Sequence, residues 1–217
     1  MADDHALNVP PEKRLGALRR RRPLFRLLQL GSLLLVAGLL ALLGWRLAQS
    51  SRGSDLVSAV RSDKKPPAPG FDLPVIWPHT ETWPSPLRTL VASGRISPTM
   101  LRGRPLIINF WASWCIPCRN EAPRLAASAQ AHAGHVVFLG VDVQDFTSDA
   151  RRFLRKYGAN YVSVRDGSGS AYDGYGLTGV PETYYVDIRG RIVAHSAGEV
   201  SRRELEDGVN RAIGGSR

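Results

Sequence analysis

The clearest pattern in the second half of the chain is a short apolar run followed by a segment with helical spacing. Leu106–Trp111 is almost entirely apolar, which is typical of a strand buried on both faces of a parallel sheet. The segment from Cys115 to about His132 predicts a helix that contains Pro123. Val136–Val143 predicts a second buried strand. Strand, helix and strand in this order predict a βαβ unit.

The C-terminal part of the chain adds further strands and helices. The predicted elements are a helix capped by Ser148, a strand over Tyr161–Val164, a hairpin of Thr183–Asp187 and Arg191–His195, and a helix that opens with the capping box Ser201–Glu204. The whole pattern predicts the α/β class, with a central mixed β-sheet flanked by helices.

A different pattern lies near the N-terminus, where Leu27–Trp45 forms a 19-residue run without a charged side chain. At about 1.5 Å per residue, a helix of this length matches the hydrocarbon thickness of a bilayer. A cleaved signal peptide is the alternative, but its apolar region is usually about 7–15 residues long. We therefore expect an uncleaved transmembrane anchor over residues 27–48.

Charge sets the expected orientation of this anchor. Residues 1–65 contain 12 Lys/Arg against 5 Asp/Glu, whereas the remainder contains 17 against 14. The basic excess therefore belongs mainly to the N-terminal segment and argues for membrane orientation rather than nucleic-acid binding. We expect residues 1–26 to be a cytoplasmic tail, 49–69 a flexible linker rich in Pro, Gly and charge, and 70–217 one domain outside the cytoplasm.

The candidate chemistry lies in the C-x-x-C formed by Cys115 and Cys118, the only two cysteines in the sequence. A helix N-terminus stabilises a thiolate and can lower its pKa to roughly 3.5–7.5. We therefore expect Cys115 to be the nucleophile and Cys118, one helical turn further on, to be the resolving thiol.

Three other interpretations of the C-x-x-C compete with a redox pair: a zinc site, a haem site and a structural disulfide. A zinc site needs two further ligands, and the sequence has no second C-x-x-C and no H-x-x-x-H. A covalent haem site needs a histidine where the chain has Arg119. A purely structural disulfide across so short a loop stabilises little. We expect neither a cofactor nor a metal, only a redox-active Cys115–Cys118 disulfide.

The residues from Asn109 to Cys118, together with Pro123, resemble the active site of the thioredoxin superfamily. The stretch from Ala68 to the end, which includes Gly179–Thr183, resembles more narrowly the membrane-anchored TlpA/ResA/CcmG (DsbE) group of thiol:disulfide oxidoreductases. This resemblance implies a thioredoxin-like fold on a single N-terminal transmembrane helix. It also implies a bacterial cytoplasmic (inner) membrane location, with the domain on the extracytoplasmic side.

The resemblance also implies roles for individual residues. Pro181 is expected to be a cis-proline that faces the disulfide, and the backbone of Val180 is expected to pair with an extended client segment. Trp114 is expected to shield the disulfide and offer clients an apolar surface, with core packing as the alternative, and Thr183 completes the expected substrate-binding set. The implied partners are protein disulfides, notably the C-x-x-C-H of apocytochromes c or their assembly factors, and a membrane electron donor of the CcdA/DsbD type.

One departure from cytoplasmic thioredoxins concerns the proton of Cys118. Those proteins carry a buried aspartate where this chain has Asn109, and an amide cannot accept that proton. Glu121 and Glu182 are the candidate acids, because both fit positions at which CcmG-like proteins carry acids. The alternatives are a solvated first-turn carboxylate for Glu121 and a surface strand residue for Glu182.

The predicted function is an extracytoplasmic reductase of protein disulfides in cytochrome c maturation. A general thiol reductase or isomerase is the first alternative, because the motif does not fix the direction of electron flow. A copper-binding chaperone with a redox fold is the second, although that type needs three residues between its cysteines and this chain has two. We expect the protein to be a monomer.

Overall fold

The computed structural model describes residues 27–45, 56–60 and 62–214. The chain divides into two compact units, residues 1–49 and residues 50–217. The described part of the first unit is one helix, α1 (Leu27–Trp45), with a mean hydropathy of 2.2. The helix is long and apolar enough to cross a membrane, as the sequence predicted. The predicted basic tail at residues 1–26 lies outside the described residues.

The second unit is built on a seven-stranded mixed sheet with the strand order β2-β1-β5-β4-β3-β6-β7. The strands are β1 (Leu73–Trp77), β2 (Arg95–Ile96), β3 (Leu106–Trp111), β4 (Val137–Val143), β5 (Val162–Asp166), β6 (Glu182–Val186) and β7 (Ile192–Ala197). Strands β3, β4 and β5 run parallel to one another, while β6, β7, β1 and β2 pair antiparallel with their neighbours. The predicted mixed sheet is confirmed.

Helices cover both faces of this sheet. They are α2 (Ile116–Ala131), α3 (Thr147–Lys156), α4 (Ser170–Tyr175) and α5 (Arg202–Gly214), with 3-10 helices at Ser85–Ser93 and Pro98–Leu101. Buried residues of α2, α3 and α5 share one apolar cluster on the first face. Buried residues of α4 belong to the cluster on the opposite face. Strand β3 lies between β4 and β6, and all six of its residues are buried.

Several elements agree with the sequence pattern and others differ. The predicted bounds of β3 are confirmed, and the predicted capping box forms, because the Ser201 amide donates to Glu204 Oε2 at 2.9 Å and the Glu204 amide donates to Ser201 Oγ at 3.2 Å. The cap predicted at Ser148 is wrong: α3 begins at Thr147, with Phe146 in the N-cap position. The reason is that Asp145 fixes this loop by accepting the Phe146 amide at 2.8 Å, so the helix starts earlier.

Other parts of the fold carry no sequence prediction. Strands β1 and β2 and the short helix α4 were not predicted, since the pattern over Val75–Arg104 is weak and Gly167–Ser170 indicates only a turn. Part of the segment that composition assigns to a linker also contacts the sheet. The Ala68 amide donates to the carbonyl of Gly190, and the Ile192 amide donates to that of Pro66.

Candidate active site

The site forms where β3 ends and α2 begins. Strand β3 lies inside the sheet, between β4 and β6, and all of its residues are buried, so it fixes the position of the turn that follows it. The Cys115 amide donates to the carbonyl of Ala112 at 3.2 Å, which closes this turn. Cys115 then occupies the N-cap of α2, and its sulfur is joined to that of Cys118 in a disulfide. The redox pair predicted from the spacing is thus formed at a helix N-terminus.

The two sulfurs have different surroundings. Sγ of Cys115 accepts a hydrogen bond from the Cys118 amide at 3.1 Å, which is the capping interaction that a side-chain oxygen makes at other helices. Cys115 retains 3% of its surface exposure and Cys118 only 1%. The geometry therefore favours Cys115 as the sulfur that reacts with a partner protein and Cys118 as the resolving sulfur.

A second loop faces the disulfide. The peptide bond between Val180 and Pro181 is cis, and the Val180 carbonyl oxygen lies 3.5 Å from Cys115 Sγ. Within the described residues the Val180 amide makes no backbone hydrogen bond. A polar backbone edge thus lies directly beside the reactive sulfur.

Exposed apolar side chains lie on both sides of Cys115 in the sequence and on the loop that contacts Trp114. Trp114 is 53% exposed, Ile116 66% and Phe146 75%. The Trp114 indole N–H donates to the carbonyl of Gln144 at 3.0 Å, so the ring is held against the 144–146 loop rather than buried in the core. Sequence reasoning missed Ile116 and Phe146. The signal at Phe146 is an aromatic residue in a cap position that normally favours Ser, Thr, Asp or Asn.

Glu121 lies on α2, three residues after Cys118, and is completely buried. Asn109 Nδ2 donates to its Oε1 at 2.8 Å and the Val200 amide donates to its Oε2 at 2.9 Å. Burial raises the pKa of Glu121 to about 7, although both of these hydrogen bonds favour the charged form. Residues at i and i+3 share a helix face, so the acid lies on the same face as the resolving thiol.

Thr183 belongs to the same buried network. Its hydroxyl accepts a hydrogen bond from Asn109 Nδ2 at 3.0 Å, and the residue has no exposed surface. The register pairs Thr183 with Asn109 across β6 and β3. The structure therefore places the Thr183 side chain on Asn109, which also binds Glu121, and not on the surface presented by Val180 and Pro181.

Glu182 lies on the opposite face of β6, because successive strand residues point to opposite sides. Its carboxylate accepts hydrogen bonds from the Thr178 amide at 3.0 Å, the Tyr184 hydroxyl at 3.2 Å and His195 Nε2 at 2.8 Å. Burial acts to raise the pKa of Glu182, but these hydrogen bonds outweigh it and hold the pKa below its ordinary value. The structure thus separates the two acids that the sequence grouped together.

A further buried acid lies at the end of β4. Asp142 has no exposed surface, and neither of its carboxylate oxygens has a hydrogen-bond partner among the described residues. Burial, followed by the nearby carboxylate of Asp145, raises the pKa of Asp142 to about 8. Asp145 itself accepts from the Ser113 amide at 2.6 Å and the Ser113 hydroxyl at 3.0 Å, and so holds the turn that leads to Cys115. Sequence reasoning missed both residues.

A metal site needs several ligand side chains close together. Across residues 27–45, 56–60 and 62–214, no three His, Cys, Asp or Glu side chains are grouped closely enough to hold a metal ion. The arrangement can instead perform thiol–disulfide exchange, since it combines a dithiol pair, a helix N-terminus and a free backbone edge.

Curated proteins with similar sequences carry matching names. The chain is 31% identical over 169 residues to the thiol:disulfide interchange protein DsbE of Xylella fastidiosa, which covers 77% of each chain. It is 33% identical over 115 residues to the thiol:disulfide interchange protein HelX of Rhodobacter capsulatus, covering 52% of this chain and 64% of that one. The chain thus spans slightly less than two thirds of the length of several relatives that it matches.

Solved structures and the family model agree with these relatives. A thiol:disulfide interchange protein DsbE from Chlorobium tepidum superposes with a TM-score of 0.57 at 25% identity, covering 68% of this chain and 96% of that one. The model of the AhpC/TSA family matches residues 67–195, which include the disulfide, the cis-proline loop and Glu121. The chain therefore belongs to the AhpC/TSA family, and within it to the thioredoxin-like DsbE group.

Proposed function

We propose that this protein is an extracytoplasmic thiol:disulfide oxidoreductase that reduces protein disulfides in cytochrome c maturation. The observation that carries this proposal is the position of Cys115. Its sulfur takes the N-cap of α2, accepts the Cys118 amide and faces the Val180 carbonyl across 3.5 Å. A thiolate at this position is stabilised by the helix N-terminus and is placed beside a backbone edge that can hold a client.

The exchange proceeds in two balanced steps once Cys115 and Cys118 are reduced. The Cys115 thiolate attacks one sulfur of a client disulfide, and a mixed disulfide forms as the first client thiolate leaves. Cys118 then loses its proton and attacks the Cys115 sulfur, which releases the second client thiolate. Two electrons pass to the client, and the protein returns to the disulfide state.

The second step needs a proton acceptor for Cys118. Glu121 fits this role best, because it is buried on the same helix face and its pKa of about 7 allows both protonation states near neutral pH. Glu182 remains a candidate from the sequence, but its carboxylate is engaged by His195 on the opposite face of the sheet.

Client binding is supported by the surface around the sulfur. The Val180 amide and carbonyl can pair with an extended client segment by strand addition. Trp114, Ile116 and Phe146 offer exposed apolar surface around the same point. We assign client contact to these three side chains and to the backbone of Val180 and Pro181.

Helix α1 bears on where the protein is located, and that location bears on how its dithiol is kept reduced. Helix α1 supports a membrane anchor that holds the second unit outside the cytoplasm. An oxidising compartment returns dithiols to disulfides, so continuous reduction requires a membrane electron donor, for which the family resemblance suggests the CcdA/DsbD type. The same resemblance supports apocytochromes c and their assembly factors as clients.

The test is a Cys118→Ser variant expressed in the native host. It keeps the attacking thiol but removes the resolving one, so mixed disulfides through Cys115 are expected to accumulate and mass spectrometry can identify their partners. The double variant Cys115→Ser, Cys118→Ser is the control and should trap nothing. Trapped c-type cytochromes or their assembly factors support the proposal, whereas a broad set of secreted proteins indicates a general reductase or isomerase.

A further inference from the structure

Residues 198–200 join β7 to the start of α5 and contact three parts of the site. The Gly198 amide donates to the carbonyl of Pro181 at 2.9 Å. Glu199 accepts from Asn120 Nδ2 at 3.0 Å and from Arg124 on the outer surface of α2. We call this segment, Gly198–Val200, the strap.

The third residue of the strap reaches the buried acid. The Val200 amide donates to Glu121 Oε2 at 2.9 Å, and the Val200 side chain is buried in the apolar cluster shared by α2 and α5. Gly198 has a φ of +87°, a conformation that glycine adopts without steric cost and that turns the chain sharply after β7. The strap thus runs from the cis-proline loop to the acid beside the resolving thiol.

The strap affects the charge of Glu121 in two opposite ways. The strap covers Glu121 and keeps water away from it. Burial of this kind is the main reason that the pKa of Glu121 is raised. Its Val200 amide acts in the other direction, because a hydrogen bond to a carboxylate favours the charged form. The balance between them depends on how tightly the strap is held.

Few charged or titratable groups surround Glu121 in the described residues. Arg124 on α2 and Glu199 on the strap interact with it from the outer side. Tyr161, just before β5, and Tyr185 on β6 interact with it from within the core, and burial raises the pKa of both phenols. Only the outer pair carries charge near neutral pH, and those two residues form an ion pair with each other.

We propose that Glu199 is a positioning residue, which closes the strap over Glu121 through Asn120 and Arg124 and thereby holds this acid dry and aligned for the proton of Cys118. The inference rests on the proposed function, in which Glu121 serves Cys118. Glu199 touches neither sulfur nor client. It acts on Glu121 mainly through the strap, and its own negative charge adds a smaller effect that also raises the pKa of Glu121.

The test compares two variants of the full-length chain in detergent micelles. Glu199→Ala removes both contacts to α2. Glu206→Ala is the matched control, because Glu206 on α5 accepts from Ser128 on the same helix α2 and from His132 at its C-cap but does not contact Glu121. Two signals are followed by NMR: the carboxyl carbon of Glu121 against pH, and hydrogen exchange of the Val200 amide.

In Glu199→Ala the midpoint of the Glu121 titration is expected to fall by at least one pH unit. Exchange of the Val200 amide is expected to become at least tenfold faster. Glu206→Ala should change neither signal. An unchanged midpoint in Glu199→Ala, or equal changes in both variants, would overturn the inference. If Glu199→Ala does not fold, Glu199→Gln keeps the Asn120 contact and should show a smaller shift in the same direction.

A third variant separates this inference from the proposed function. Glu121→Gln should displace the pH profile of Cys118 alkylation in the reduced protein. If it does so while Glu199→Ala leaves that profile unchanged, the strap inference alone fails. If Glu121→Gln leaves the profile unchanged, the relay in the proposed function fails.

Discussion

At the scale of single residues, two buried glutamates show how hydrogen bonding decides the state of an acid. Glu121 accepts two hydrogen bonds and Glu182 accepts four, of which one comes from a histidine. Burial dominates at Glu121 and raises its pKa, whereas the hydrogen bonds dominate at Glu182 and lower its pKa. Of these two glutamates, Glu121 is therefore the one that can exchange a proton near neutral pH.

This difference predicts unequal effects of two isosteric substitutions. Glu121→Gln removes the proton acceptor and should slow resolution of the mixed disulfide by about a hundredfold at pH 7, at the low end of typical general-base contributions. Glu182→Gln, the matched control on the other face of the sheet, should leave that rate within about twofold. The measurement is the rate at which a mixed disulfide with a client peptide releases the peptide thiol. Equal slowing in both variants would contradict the assignment of the relay to Glu121 alone, and slowing in Glu182→Gln alone would assign it to Glu182.

At the scale of elements, the beginning of α3 breaks the usual preference for a polar cap. Phe146 occupies the N-cap without a side-chain hydrogen bond and is mostly exposed. Ser, Thr, Asp or Asn at this position would satisfy one of the free amides of the first turn. The loop lacks this stabilisation and instead presents an exposed aromatic ring, two residues from the Gln144 carbonyl that holds Trp114.

A Phe146→Ser substitution should therefore affect stability and client turnover in opposite directions. A serine cap is expected to stabilise the protein by about 1 kcal/mol, measured by urea unfolding. Reduction of a protein client should become slower, while reduction of a small disulfide such as oxidised glutathione should stay unchanged, because the small substrate does not reach the ring. Phe146→Leu keeps an apolar surface and serves as the control. Unchanged turnover of the protein client in Phe146→Ser would exclude the ring from client binding.

At the scale of the whole molecule, Asp142 links stability to pH. Its pKa is raised from an ordinary value of 3.8 to about 8, so the folded protein holds this proton more tightly than the unfolded chain. Unfolding then releases a proton between about pH 4 and pH 8, and stability falls as the pH rises through that range. Above about pH 8 Asp142 is ionised in both the folded and the unfolded protein, so its contribution to stability is fully lost.

The corresponding prediction concerns Asp142→Asn. The amide does not titrate, so the free energy of unfolding of the variant relative to the unmodified protein should rise with pH between about 4 and 8. The limiting slope is about 1.4 kcal/mol per pH unit. Urea unfolding of both proteins at several pH values measures this difference. A flat difference for Asp142→Asn would contradict the assignment.

The sequence by itself determined the features that depend on neighbouring residues. Strand β3, the cysteine pair at the start of α2 and the capping box of α5 follow from local patterns, because burial on both faces, helix capping and the helix dipole act within a few residues. The apolar run of α1 needs no partner to be recognised. The family resemblance, which these residues carried, was confirmed by the comparisons.

Tertiary structure alone decided which distant groups meet. The pairing of β3 with β6 brings Thr183 to Asn109, which also binds Glu121, and strand alternation turns Glu182 to the other face of the sheet. The strap over Glu121, the burial of Asp142 beside Asp145 and Arg165, and the exposed ring of Phe146 depend in the same way on contacts between residues far apart in the chain. Local patterns do not encode such contacts, because burial and electrostatic fields arise only when the sheet and its helices are assembled.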